Sequence, residues 1–232
     1  MDNSKICVLN VSIGSWYPRG QERLSKSLDK HGYKGKKLFW INSYPDGCPP
    51  HSKIPYAFKP YAFKEAQKKG FRIAIWMDSA LYAVKSINPY IDRTFQDGHL
   101  LMGNGWTNGQ WCTDAALKTL KLTREESLKM PHLMACVMGL DFTNERSLRF
   151  LDEWYNLSND GITFVGPWNN NNGEASSDKR VLGHRHDQTA ASTVSYRLGM
   201  EWVNHRKTGV LYYDGTPDDK VANDIILVSK GM

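Results

Sequence analysis

The sequence predicts a single α/β sandwich built on a mixed central sheet, and three observations predict it. Residues 71–80, Phe-Arg-Ile-Ala-Ile-Trp-Met-Asp-Ser-Ala, are an unbroken apolar run that ends abruptly in an acid; such a run reads as a strand covered on both faces by helices. The chain opens strand, helix, strand. No internal repeat, heptad run or Pro/Ser/Gly-rich linker divides its 232 residues, so one domain over 1–232 is expected, large enough for a full core.

Taken in order, residues 6–12 are the first strand and Ile13-Gly14-Ser15-Trp16-Tyr17-Pro18 its exit loop. Gly14 permits close backbone approach to a ligand, and Trp16 or Tyr17 offers a ring on which a base can stack. Arg19 to Lys30 reads as an amphipathic helix stopped at Gly32, and Lys37–Ile41 as a second strand. Pro45 to Pro55, with four prolines and a glycine, is loop. Residues 56–66 form a helix whose aromatic and alanine stripe belongs in the core. Lys59 on that helix is either an exposed lysine or an ammonium presented to a diphosphate beside the strand-end cleft.

After the 72–77 strand come a helix over 86–95, a strand over 99–102 and a polar loop, 103–111, holding Trp106 and Trp111. These tryptophans either anchor the loop or bind the apolar side of a sugar ring. Asp114 caps the next helix or reaches an acceptor hydroxyl. Residues 144–157 read as a helix. Gly166 to Arg180 has too little apolar content to pack and is a candidate lid. Short strands close the chain at 201–205 and 224–228.

The net charge of +6 is unevenly placed: residues 1–72 carry 14 Lys/Arg against 5 Asp/Glu, the rest 16 against 19. A basic first third attracts an anionic ligand such as a diphosphate or a polyanionic acceptor, nucleic acid included. The same charge also reads as a solvated lysine face, to which Lys34, Lys36, Lys37, Lys68 and Lys69 belong. Cys7, Cys48, Cys112 and Cys136 are scattered, without a Cys-x-x-Cys pair, and are expected reduced. No run has the length of a membrane span and none resembles a signal peptide, so a soluble, cytoplasmic (intracellular) protein is expected.

Two clusters carry candidate chemistry. Asp78 sits where the apolar strand leaves the sheet, the place where open α/β folds bind ligands, although an acid there also caps turns. Gly183-His184-Arg185-His186-Asp187-Gln188-Thr189 crowds polar groups at the start of a helix that ends at Gly199. A helix cap needs one oxygen-bearing side chain and leaves the histidines and the arginine unexplained.

With these residues the chain resembles the glycosyltransferases of the GT-A fold, which move a sugar from a nucleotide donor to an acceptor. Ile75-Trp76-Met77-Asp78-Ser79-Ala80 looks like their strand-terminal Asp-x-Asp motif, and His186-Asp187-Gln188 like a later Asp-Gln element. Leu133 to Asp141 is similar to the strand that lines the acceptor side. Ala80 departs from the pattern, standing where the second acid, usually a metal ligand, is expected.

The resemblance implies a three-layer α/β/α sandwich and a nucleotide sugar such as a UDP-sugar as donor. It places Asp78, Ser79, Lys59, Gly14, Trp16 and Arg185 at the donor, and Trp106, Trp111, Asp114 and His186 at a carbohydrate or hydroxylated polyanionic acceptor. Asp187 is the general base of an inverting reaction or the carboxylate beside the anomeric carbon of a retaining one. A Mn2+ or Mg2+ ion would be held weakly by Asp78 with His205, His184 and His186 being alternatives. Without the metal, Arg185 and Lys59 are the cations left to the leaving group. Two rivals stand beside this reading: a nucleic-acid-binding module, favoured by the charge, and a metal-dependent hydrolase using His184, His186 and Asp78. The hydrolase needs two histidines that an extended segment would point to opposite sides.

Overall fold

The computed structural model describes residues 2–204, 209–213 and 225–230. His205, and Asp224 of the expected last strand, lie outside them. The elements run β1 (Ile6–Ser12), α1 (Tyr17–Lys30), β2 (Lys36–Ile41), α2 (Phe58–Lys68), β3 (Ile73–Met77), β4 (Leu81–Ala83), α3 (Asn88–Asp97), β5 (His99–Leu100) and β6 (Met102–Thr107). They continue with α4 (Asp114–Thr119), α5 (Arg124–Lys129), β7 (Pro131–Leu133), β8 (Val137–Asp141), α6 (Glu145–Leu157), α7 (His186–Arg197), β9 (Val203–Asn204), β10 (Val210–Tyr213) and β11 (Leu227–Lys230).

The central sheet has the order β2-β1-β3-β8-β5. β1 is parallel to β2 and to β3, while β8 runs antiparallel to both β3 and β5, so the sheet is mixed as expected. Alternation along each strand serves two cores. Cys7, Leu9, Val11, Ala74 and Trp76 face one core with Phe63 of α2, Trp154 of α6 and Val194 of α7. Ile6, Val8, Ile73, Ile75 and Met77 face the other with Leu24 of α1 and Ile91 of α3. Three layers result.

From β1 the chain moves through α1 to β2 on one side, then returns through α2 to β3 on the other. Right-handed crossovers in opposite directions put α1 and α2 on opposite faces. A crevice therefore opens at the carboxyl ends of β1 and β3. Both strand ends carry candidate residues: Gly14 follows β1 and Asp78 follows β3.

Several expectations are corrected. Residues 103–107 are strand, paired with β7 and β9 in a small second sheet. Gly103 lies within that strand and not in a turn, with room for a Cβ at an ordinary 3.6 Å contact with the Trp202 ring. The stretch 133–141 is two strands in two sheets, broken where Met134 N donates to Met102 O at 2.7 Å. Thr113, not Asp114, caps α4, its side chain accepting from Ala116 N.

The 166–180 segment is pinned rather than loose. Asn170 bonds the carbonyls of Ser176 and Val181 and the amides of Ala175 and Ser176. None of the four cysteines is joined in a disulfide, and Cys7, Cys112 and Cys136 are buried. Among the described residues no helix is long and apolar enough to cross a membrane.

Candidate active site

Asp78 leaves β3 with its backbone amide bonded to Cys136 O at 2.9 Å. Two residues earlier on the same face, Trp76 donates its indole Nε1–H to Asp78 Oδ1 at 2.7 Å. Ser79 turns inward instead, donating to Asn10 Oδ1 at 2.9 Å, which also accepts from Gln21 at 2.8 Å. Asn10 interrupts the apolar run of β1 before its terminal Ser12, and that break is a signal the sequence carries.

Lys59, in the first turn of α2, is the unexpected member. It is 1% exposed, so the reading of it as a solvated lysine is overturned. Its Nζ lies 3.3 Å from Asp78 Oδ1 and 3.1 Å from Asp187 Oδ2, and it donates to Ala135 O at 2.8 Å. The two acids singled out from the sequence thus meet at one ammonium. Asp78 keeps its side chain 36% exposed to the crevice, whereas Asp187 is 2% exposed.

Asp187 sits one residue into α7 and is not its cap; Arg185 holds that position without a side-chain cap bond. The first turn is clamped from outside. Trp154 Nε1 donates to Asp187 O at 3.1 Å and Thr189 Oγ1 to Trp111 O at 2.6 Å. The helix is buried nearly all round by small residues, and Ser192, Thr193 and Ser195 return their hydroxyls to carbonyls four residues back.

Burial pushes the Asp187 carboxyl up to about 6, more than Lys59 pulls it down, and the like charge of Asp78 adds to the rise. For Lys59 burial opposes the charge, but the two carboxylates outweigh it and leave the ammonium above its ordinary value.

His184 and His186 do not point apart. Their rings lie 5.1 Å apart, edge to face, because His186 adopts φ 43° and turns the chain out of the extended path assumed for it. His184 is spent on structure, accepting from Thr113 N and bonding Thr163 O. His186 Nδ1 bonds Phe164 O at 3.0 Å, and its buried Nε2 has no hydrogen-bond partner. Arg185 is stacked between Trp111 and Trp168, 3.7 Å and 4.3 Å from the two ring centroids. Trp106 packs edge-on against Trp111 at 5.9 Å.

Asp114 stands apart from this group, accepting from Arg124 at 2.6 Å and Ser176 at 2.8 Å. On the β1 side Trp16 is 58% exposed, and Gly14 N donates to Asn42 Oδ1. A cavity of about 340 Å³ lies at the ends of β1 and β3, walled by Ile13, Tyr17, His51, Tyr56, Phe58 and Asp78 among others. His51 and Trp168 lie in loop segments whose sequence carries no period or motif, and Tyr56 and Phe58 belong to the aromatic stripe assigned to the core, so none of the four is marked as a site residue by the sequence.

The described side chains do not fit a divalent cation at Asp78. Its Oδ1 is taken up by Trp76 and Lys59, Ala80 offers a methyl group where a second carboxylate would be, and no three His, Cys, Asp or Glu side chains cluster among the described residues. The hydrolase reading lacks its metal cluster for the same reason.

No protein-family model and no curated protein matches the chain. Its fold is shared with a glycosyltransferase involved in the glycosylation of the major capsid of PBCV-1, at TM-score 0.53 and 15% identity over 97% of this chain and 92% of that one. It is also similar to the apo structure of the bifunctional glycosyltransferase WbbM, at TM-score 0.53 and 9% identity over 98% of this chain and 46% of that one, so it spans under half of WbbM. At such identities the likeness is one of fold, and the mixed three-layer α/β sandwich expected from the GT-A resemblance is the architecture these glycosyltransferases share with this chain.

Proposed function

We propose that this protein transfers a sugar from a nucleotide-diphosphate donor, such as a UDP-sugar, to a hydroxyl acceptor. The observation that carries the reading is the meeting of Asp78 and Asp187 at Lys59, at the strand-end crevice of a fold shared with glycosyltransferases. The donor lies along the crevice, its base against Trp16, its phosphates near the Gly14 backbone and Ser79, its ribose at Asp78. Arg185, held flat between two indoles, turns its remaining N–H groups toward the diphosphate. The acceptor, a carbohydrate or other hydroxyl-bearing polyanion, enters past Trp106, Trp111 and His186.

In the reaction the bond between the anomeric carbon and the phosphate oxygen breaks, its electron pair leaving with the diphosphate. A new bond forms from the acceptor oxygen to the same carbon. In an inverting course the acceptor proton passes to Asp187, a carboxylate ionised at neutral pH yet basic enough to take it. In a retaining course Asp187 flanks the anomeric carbon and the proton leaves with the diphosphate. Arg185 stabilises the charge developing on the leaving group.

A thermal-shift screen against UDP-, GDP-, ADP- and TDP-sugars, repeated on Asp78→Ala, tests the reading. A shift with one nucleotide class that disappears in the variant, with release of the matching diphosphate on adding a glycan acceptor, supports it. No shift with any donor sinks it.

A further inference from the structure

The environment of Lys59 has the composition of a cation site. Three oxygens from three elements converge on its Nζ: Asp78 at the end of β3, Asp187 in the first turn of α7, and Ala135 O in the break between β7 and β8. Two are carboxylates and one a carbonyl, the hard ligands that also suit magnesium, manganese or calcium. Aromatic faces close other sides, the Tyr56 ring centroid at 5.3 Å and that of Trp76 at 5.5 Å, an arrangement that favours a cation.

The backbone is shaped to the same end. Tyr56, two residues before α2, is held at φ 60°, a conformation that costs energy for a non-glycine residue. Lysine is almost never buried unless paired, and here it is buried with two acids. Asp187 Oδ2, itself buried, lacks a hydrogen bond of good geometry, so the nearby ammonium compensates its charge through space.

A divalent ion entering between these acids would have to expel the ammonium and leave it buried and unpaired, at a high cost. We propose that the Lys59 ammonium is the resident cation of the site, holding Asp78 and Asp187 together where a divalent metal would otherwise sit, so that the donor is bound without metal. Lys59 is a positioning residue, acting through the two carboxylates. The statement about the donor rests on the glycosyl-transfer reading; the cation site does not.

The test is titration of Mn2+ into the whole chain at pH 7.5, followed by electron paramagnetic resonance, with and without UDP and with the Mn2+–UDP signal as blank. The wild-type protein is expected to leave the free Mn2+ signal undiminished in both. Lys59→Ala, which removes the ammonium and leaves three oxygens around an open space, is expected to bind Mn2+ at least about tenfold tighter than the wild type, and Lys59→Ala/Asp78→Asn to lose that gain.

Wild-type Mn2+ binding that Asp78→Asn abolishes would overturn the proposal. So would a Lys59→Ala protein that is folded by circular dichroism and gains no Mn2+ affinity. Should Lys59→Ala fail to fold, the wild-type and Asp78→Asn titrations decide alone. If no nucleotide sugar binds at all, the transfer reading falls while the Mn2+ titration still reads the cation site.

Discussion

On one side of the crevice β1 and β3 lie in register, Leu9 opposite Trp76, and their ends deliver Gly14 and Asp78 mainly by the course of paired strands. Across it, Trp111, Trp168, Arg185 and His186 come from short helices and irregular segments, and side chains hold them. Arg185 needs both indoles, His184 needs Thr113 and Thr163, and Gly183 passes so close to Trp168 that a Cβ would lie 1.9 Å from its carbonyl oxygen. A residue on the first wall can be changed alone. A change on the second spreads through its neighbours, and paired substitutions there should not add.

The sharpest way to break this contrast is Asp187→Asn, because Asp187 belongs to the second wall by sequence but reaches the first through Lys59. Transfer should fall by roughly 10²–10⁴-fold, as for a lost general base, with donor affinity kept and the melting temperature little changed, since Lys59 retains Asp78. Near-normal turnover would remove Asp187 from the chemistry. In the wild type, kcat/KM should rise through an apparent pKa of about 6 and level off above it, and the variant should lack this step.

The same group fixes a stability slope. The folded value is raised above that of the free carboxyl, so the folded chain binds the proton more tightly. This contribution is full below about pH 4 and is lost as pH rises through about 6. A melting series at those pH values, wild type against Asp187→Asn, measures it.

Next in size is Arg185→Lys. A compact ammonium cannot stack flat between two rings, and donor affinity should weaken about tenfold, a loss of about 1.4 kcal/mol. Trp168→Ala should do much the same, and the double variant little more; full additivity in calorimetry would show that the wall is not a network.

On the first wall Trp16→Ala should cost only the stacking of one exposed ring, about 0.5–1.5 kcal/mol in donor binding, leaving melting unchanged. The smallest effect belongs to Asp114→Asn. With Arg124 and Ser176 engaging its carboxylate, transfer should stay within about twofold and stability within about 1 kcal/mol; a large rate loss would put Asp114 back at the acceptor.

The two walls also differ in how far the sequence revealed them. β1, α1, β2, α2 and β3 follow from apolar runs and from a helical stripe that local sequence displays directly. The resemblance puts Asp78 at the donor and Asp187 at the reacting carbon, which brings the two acids into one site, but nothing in the sequence announces the ammonium between them. Lys59 has the same local pattern as an exposed helix lysine, and only tertiary packing distinguishes the two.

Gly103 and Gly105 concealed a strand, because glycine marks turns and close approaches alike. The histidine pair was misread because alternation holds only for extended backbone, and φ 43° at His186 breaks it. The Arg185 clamp joins side chains from positions 111, 168 and 185, a coincidence in space that no spacing rule encodes.

The burial of Lys59 between acids from β3 and α7 also bears on how the chain folds. Positions 59 and 187 lie more than half the chain apart, so the ammonium on α2 stays hydrated until α7 docks. Losing that water before the carboxylates arrive is unfavourable, which ties the docking of α7 to the closure of α2 over the sheet in one cooperative step. Under native-state hydrogen exchange, amides in the first turn of α2 and in α7 should open with the same free energy, although they belong to opposite walls of the site.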